Sequence, residues 1–220
     1  MAAFEIKTIS RDEARPFIEG IHYAHRFPPI QFLFGLLEDG VLKGTVSYGP
    51  PASPQVAKSV FGGLFKERIL ELNRLVLDTT TKNAASFLVG RSLRQLTVPS
   101  AIVSYADGLM GHVGYIYQAT NFLFCGGAKA HDNYYMVDGK MTHPRTLASR
   151  GITAPAQWAA ENGIAIVKAA VKNRYLFLRG KNSQLLEMRG ALKWPVLPYP
   201  KGESRRYEKG QTMEELCRVI

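Results

Sequence analysis

His22 and His25 stand three apart with Tyr23 between them, and Arg26 and Phe27-Pro28-Pro29 follow. Imidazole nitrogens and a phenol oxygen could hold a metal or the edge of a substrate. Histidines at a helix end are equally favoured by its negative pole. Arg74 lies in an apolar run, Leu70–Leu77, with Glu71 and Asn73 beside it. A charge in a central strand is costly unless paired. Arg74 therefore either pairs with Glu71 or Asp107, or holds a phosphate or carboxylate in a two-point grip. Asp107 closes a short apolar run and is a candidate base or ligand, or a helix N-cap. His112, inside Gly111–Gly114, could serve the same site or cap the turn. Ser92 reads as a helix serine off the apolar face.

The elements that must position these groups centre on residues 70–122. The pattern predicts a strand over Leu70–Leu77 and a polar turn over Asp78–Asn83. A helix over Ala84–Leu96 follows, with Ala85, Val89, Leu93 and Leu96 on its buried face. Pro99 and Ser100 interrupt the chain. Ala101–Tyr105 has strand length, and a glycine-punctuated helix runs over Gly111–Thr120. Two strands joined through a helix imply a parallel pair with a right-handed crossover. The first backbone N–H groups of the Ala84 helix have no partners within it, so that end suits phosphate. Alternatively, Asn83 or Thr81 caps it with a side-chain oxygen.

Upstream, Phe4–Ile9 alternates as a strand, and Ser10-Arg11-Asp12-Glu13 fits a capping box for a helix reaching about His22. Pro16 would move its start towards Arg15. Ile30–Leu37 and Val41–Tyr48 read as a hairpin around Asp39-Gly40. Gly49–Pro54 reads as a substrate-facing surface loop or a linker, and Val60–Phe65 as an apolar lead into the central strand. Downstream, Phe122–Ala130 and Asn133–Val137 read as a closing hairpin, where Tyr134 and Tyr135 either stack on a base or pack. Short helices are expected over Ile152–Asn162 and Gln184–Lys193, with a strand over Lys172–Leu178.

The chain has 220 residues, 46% of them apolar, and a net charge of +10. That length suits one substantial core, or a core with an appendage. No apolar run approaches the roughly 18 residues that span a bilayer. The first residues hold no signal-peptide pattern. Cys125 and Cys217 form neither a disulfide framework nor a metal pair, which points to reduced thiols in cytoplasm. The positive charge is uneven: residues 141–220 hold 14 Lys and Arg against 6 Asp and Glu. A basic region of that kind suggests a polyanion, with a merely solvated surface as the alternative.

The run GYIYQATNF resembles the GxxYxxxGF stretch of the GNAT N-acyltransferase superfamily. In that superfamily a tyrosine on this helix lies near the thioester sulfur of acyl-CoA, and Tyr117 matches it. Asn121 stands where glycine is frequent, and asparagine also tolerates a left-handed helix end. The glycine-rich pyrophosphate loop of the superfamily is replaced by Thr81-Lys82-Asn83-Ala84-Ala85-Ser86. A closer resemblance comes from ordered blocks: HYAHR (22–26), LKGTVSYGPP (42–51), LELNRLVLD (70–78), SYADGLMGHVGYIYQATNF (104–122), NRYLFL (173–178) and KWPVLPYPK (193–201). Together they look like the Mom family of phage DNA-modification proteins.

That resemblance implies an α/β (α+β) fold: a GNAT-like mixed central sheet flanked by helices, with a basic C-terminal extension. It implies a catalytic core over 1–140 and an extension over 141–220 that packs on the core and contacts DNA. The implied activity places a carbamoylmethyl (glycinamide) substituent on the exocyclic N6 amine of adenine, protecting phage DNA from restriction. Plain acyl transfer leaves an amide on nitrogen, so the methylene in that substituent requires a metal, a second donor or a rearrangement.

The implied catalytic set is Tyr23, Arg74, Ser92, Asp107 and Tyr117. Contacts to acetyl-CoA or another acyl-CoA fall on Leu77, Thr81, Lys82, Asn83, Ala84, Ala85 and Ser86. Iron(II) would take His22, Tyr23 and Asp107. Double-stranded DNA would meet Arg174, Arg179, Lys181, Lys201, Arg205 and Arg206, and aromatic groups near Tyr23 and Tyr48 would stack an extruded base. The remaining partner is a small-molecule acyl or alkyl donor. No membrane is involved, a homodimer is allowed, and the location is the cytoplasm of the bacterial host. Two other classes stay open: an ordinary N-acetyltransferase on a small-molecule or protein amine, and a non-catalytic DNA-binding protein on a GNAT scaffold.

Overall fold

The computed structural model describes residues 3–22, 24–108, 111–128 and 133–202. Its strands are β1 (Phe4–Thr8), β2 (Phe32–Glu38), β3 (Val41–Gly49), β4 (Ile69–Leu77), β5 (Ser100–Asp107), β6 (Leu123–Ala128), β7 (Tyr134–Val137), β8 (Lys140–Thr142), β9 (Ile166–Val167) and β10 (Lys172–Arg179). Its helices are α1 (Arg11–Ile18), α2 (Pro54–Phe61), α3 (Ala84–Leu93), α4 (Tyr115–Ala119), α5 (Pro144–Ser149), α6 (Pro155–Glu161) and α7 (Asn182–Ala191). The chain divides into two compact units. One comprises Met1–Tyr105, Gly114–Gly126 and Arg174–Lys201; the other comprises Ala106–Val113, Gly127–Asn173 and the chain from Gly202.

The first unit is built on a mixed sheet in the order β1-β2-β3-β4-β5-β10-β6. Strands β1 to β4 are antiparallel neighbours, and β4 runs parallel to β5. This is the expected mixed sheet flanked by helices. Local chemistry sets its early elements. Ser10 and Glu13 close the capping box of α1, which keeps Pro16 inside and ends at Ile18, short of His22. Asp39 and Gly40 take φ of 49° and 80°, the left-handed pair that a two-residue hairpin turn needs.

Alternate residues along the strands feed two cores. One face packs Ile69, Ala101, Val103, Cys125 and Leu176 against Val60 and Phe61 of α2, Met188 of α7 and Trp194. On the other face α3 lies over the sheet and buries Ala84, Leu88, Val89, Ser92 and Leu93.

Three expectations need correction. Residues 54–61 form a helix, because Ser53 caps it through Gln55 N–H and Pro54 sits in the first turn, where its missing N–H costs nothing. Ser92 lies on the buried face of α3 and is fully buried. The runs beginning at Phe122 and Asn133 do not form one hairpin: β6 is the sheet edge beside β10, and β7 joins a separate sheet. Strand β10 buries both Tyr175 and Leu176, consecutive residues on opposite faces, so it needs a place inside the sheet. The basic stretch 172–179 therefore supplies an interior strand.

The second unit holds the three-stranded sheet β8-β7-β9 and a small core of Tyr135, Leu147 and Ala159, with Trp158 and Ile164 packed on it. No helix among the described residues is long and apolar enough to cross a membrane.

Candidate active site

The first unit opens where β4 and β5 part. Their pairing runs through Ile69–Ala101, Leu70–Ile102 and Glu71–Val103 and stops there among the described residues, although β4 continues to Leu77. A register slip between β3 and β4 sets the parting: Ser47 faces Arg74, Tyr48 faces Leu72, and Asn73 is left as the extra residue. Asn73 is held by its amide instead, accepting from the Ser47 hydroxyl at 2.6 Å and donating to Pro29 O at 3.0 Å. Across the gap the Ser104 hydroxyl donates to Leu72 O at 3.1 Å, so a side chain replaces a lost ladder bond.

Tyr117 is brought to this opening by α4. Gly114, at φ 97°, begins that helix against Tyr175; a Cβ there would lie 2.4 Å from the ring. The Tyr117 ring packs 5.1 Å from Tyr175 and 5.3 Å from Phe122, centroid to centroid. Asn121 ends the helix at φ 62°, as its side chain allows. Burial pushes the Tyr117 hydroxyl above the ordinary tyrosine range; the Ser104 hydroxyl pulls it down, and Glu71 and Tyr175 push it up further. At neutral pH it is a protonated donor.

Ser92 and Tyr48 sit deeper. Their hydroxyl oxygens are 2.7 Å apart, and Ser92 donates onward to Val89 O at 3.0 Å. Tyr48 is fully buried, which pushes its hydroxyl well above the usual range. A ring enclosed in this way cannot stack an extruded base, which corrects that expectation for Tyr48.

The N-terminus of α3 borders a groove of about 450 Å³ lined by Asn83, Ser86, Phe87, Thr120, Asn121 and Arg179, among others. Asn83 occupies the cap position at φ 67° and makes no side-chain cap bond. The N–H groups of Ala85 and Ser86 donate to nothing among the described residues. Of the seven expected cofactor contacts, Asn83 and Ser86 line the groove. Ala84 is buried beneath it and Lys82 is exposed. Thr81 turns its hydroxyl to the Glu38 carboxylate, and Leu77 packs over Gly44 of β3.

Arg74 donates from Nη1 to Asn73 O at 2.6 Å and from Nη2 to Arg26 O at 3.2 Å, tying β4 to the loop after α1. In that loop His22 is buried, and its Nδ1 accepts from Ala24 N–H at 3.0 Å. Tyr23 lies outside the described residues. Among the described residues no three His, Cys, Asp or Glu side chains come together as metal ligands. The His22 lone pair on Nδ1 is also engaged by backbone. The expected iron set of His22, Tyr23 and Asp107 includes Tyr23, which lies outside the described residues.

In the second unit, Asp107 is buried and pairs through Oδ2 with Lys172 Nζ at 3.0 Å. Burial pulls the Lys172 ammonium down, but Asp107 and Tyr134 together hold it above the ordinary lysine range. Burial pushes His112 down against a smaller opposing pull from Asp107, so it is neutral near pH 7.

The expected phosphate contacts divide. Arg179 donates to the carbonyls of Leu96 and Arg94. Arg174 donates to Cys125 O at 2.9 Å and stacks 4.7 Å from the Trp194 ring. Lys181, at the start of α7, and Lys201 are exposed. Arg205 and Arg206 lie outside the described residues. The bridge from Ser104 to Leu72 and the grouping of Tyr105 with Glu71 and Arg174 were not foreseen. Only the alternation of Ser104 and Tyr105 along one strand hinted at them.

Residues 3–201 match the model of the Mom protein family. The chain is 29% identical over 204 residues to methylcarbamoylase Mom of Escherichia phage Mu, covering 89% of this chain and 83% of that protein. Among solved structures it is similar to a Bacillus subtilis acetyltransferase in complex with CoA, with 12% identity, 81% and 99% of the two chains covered, and a TM-score of 0.44. A ribosomal-protein-S5-alanine acetyltransferase from Vibrio fischeri gives 10% identity, coverage of 82% and 98%, and a TM-score of 0.46.

Proposed function

The chain belongs to the Mom protein family, and from that premise we propose that it is a transferase acting on the N6 amine of adenine in DNA. The product is the carbamoylmethyl-type substituent that shields DNA from restriction. An acyl-CoA-type donor accounts for an N6–acyl bond formed as its C–S bond breaks. The methylene of the final substituent needs a further donor, a metal or a rearrangement beyond that step. The observation that carries this reading is the parting of β4 from β5 beside the Tyr117 and Ser104 hydroxyls.

Each part of the opening has a task. The open N–H groups of Ala85 and Ser86, with the positive end of the α3 dipole, suit the donor's pyrophosphate. The unpaired edge of β4 offers backbone N–H groups to a developing oxyanion. Tyr117, neutral and desolvated, supplies a proton to a leaving thiolate. Adenine must leave the base stack to reach such an opening, at a cost of a few kcal/mol. Lys181 and Lys201, with Arg205 and Arg206, supply positive charge for the backbone. Apart from that opening, Asp107 of the second unit, held by Lys172, is a separate candidate acid–base group.

The test is to challenge DNA from cells expressing this chain with endonucleases whose sites contain adenine. Resistance in the wild type, reduced in Asp107→Ala and Tyr117→Phe, is the expected result. DNA that is cut fully in the wild type would refute the reading.

A further inference from the structure

Three polar side chains that the scheme above leaves unused lie on neighbouring strands of the first unit. They are Glu71 on β4, Tyr105 on β5 and Arg174 on β10. Alternation puts them on one face of the sheet. Glu71 follows Ile69 by two residues, Tyr105 follows Val103, and Arg174 precedes Leu176, and all three apolar partners belong to the core beneath α2 and α7. This face is opposite the one where Ser104, Tyr175 and Tyr48 meet α3 and α4. All three polar residues are partly exposed.

The row is electrostatically joined. Burial pushes the Tyr105 hydroxyl up to about 12, Glu71 adds to the rise, and Arg174 opposes it. Glu71 also acts on the Tyr117 hydroxyl, so the row borders the parting of β4 and β5. Arg174 is fixed by Trp194 and by Cys125 O, yet its buried Nε donates to nothing among the described residues. A desolvated donor of that kind is costly to leave unmade. Glu71 Oε2 accepts from Ala52 N–H at 2.9 Å, which draws the loop after β3 to the same row.

We infer that Glu71, Tyr105 and Arg174 form the acceptor subsite, which takes the amine-bearing edge of an extruded purine from the face opposite the donor groove. Glu71 accepts from the exocyclic N–H, and Arg174 donates to a ring nitrogen. A carboxylate beside a guanidinium matches an edge that presents a donor next to an acceptor. Tyr105 lies between them with its ring on the core. This subsite rests on the proposed adenine chemistry.

The test uses the purified full-length chain and two synthetic duplexes with one mismatched position, which eases extrusion. One duplex carries adenine there; the other carries purine, which lacks the amine. Wild type should bind the adenine duplex about tenfold more tightly, as expected for a hydrogen bond to a charged group. Glu71→Gln, which keeps an acceptor for Ala52 N–H, should shrink that difference to about twofold or less. Arg174→Lys should weaken binding to both duplexes, since both present ring nitrogens. Melting curves verify that each variant folds. Equal affinity of wild type for the two duplexes, or an unchanged difference in Glu71→Gln, would overturn the subsite. Nucleosides from expressing cells are analysed in parallel: unmodified adenine there would remove the proposed function, and the duplex comparison would still judge the subsite.

Discussion

The hydroxyl pair of Tyr48 and Ser92 allows a sharp energetic prediction, because the two bonds it makes are unequal. Ser92 donates its proton to Val89 O, so the Tyr48 O–H must donate to Ser92 Oγ. Both side chains are fully buried. Ser92→Ala removes the acceptor and strands a phenol in the core, which costs about 1–3 kcal/mol. Tyr48→Phe leaves Ser92 still bonded to Val89 O, so its cost falls near the net worth of one bond, about 0.5–1.5 kcal/mol. In the Tyr48→Phe background Ser92→Ala strands nothing and is nearly neutral. The double-mutant cycle should therefore show a coupling of roughly 1 kcal/mol or more. Urea melts followed by circular dichroism measure all four proteins. A thermal melt would read the Ser92→Ala loss as a drop of about 2–4 °C per kcal/mol. Additive costs, with Ser92→Ala equally damaging in both backgrounds, would refute the hydrogen-bond assignment. DNA modification by the double variant should follow its stability. If it stays folded but inactive while Tyr48→Phe is active, the Ser92 hydroxyl has a chemical role.

Tyr117→Phe keeps the ring contacts with Tyr175 and Phe122, so stability should change by less than about 1.5 kcal/mol while modification falls about a hundredfold; equal rates would exclude Tyr117 as proton donor. Because that hydroxyl is raised above its ordinary value of 10.0, a wild-type pH–rate profile should show no alkaline loss from it below pH 10.0. Gly114→Ala forces a Cβ to within 2.4 Å of the Tyr175 ring at φ 97° and should cost about 1–3 kcal/mol in a denaturant melt. Lys172 is raised above 10.5 by Asp107 and Tyr134, so its contribution is complete below pH 10.5 and is lost as pH rises through the higher folded value. Lys172→Met should therefore flatten the alkaline end of the stability–pH curve, and an unchanged curve would count against the ion pair.

What could be read from the chain and what could not have separate physical causes. The Asp39-Gly40 turn, the Ser10–Glu13 box and the strand of residues 70–77 are local signals, and the structure follows them. The left-handed Asn121 was legible for the same reason. The partner of β6 was not, because sheet order is decided by burial on both faces of β10, some fifty residues away in sequence. The helix after Ser53 was hidden by a Pro-rich stretch whose Ser-Pro start signals a cap as readily as a loop. Ser92 appeared to lie off the apolar face because a serine is counted as polar; Tyr48, 44 residues earlier in the chain, makes its burial tolerable. Arg174 and Arg179 read as phosphate contacts by charge alone. Their donors to Cys125, Leu96 and Arg94 carbonyls appear only in three dimensions.

Mass analysis of nucleosides from DNA of cells expressing the wild-type chain, beside cells expressing Tyr117→Phe, tests the central claim most directly. A fraction of deoxyadenosine heavier by the carbamoylmethyl group in the wild type, and strongly reduced in the variant, is the predicted result. Deoxyadenosine of ordinary mass throughout the wild-type sample would contradict it.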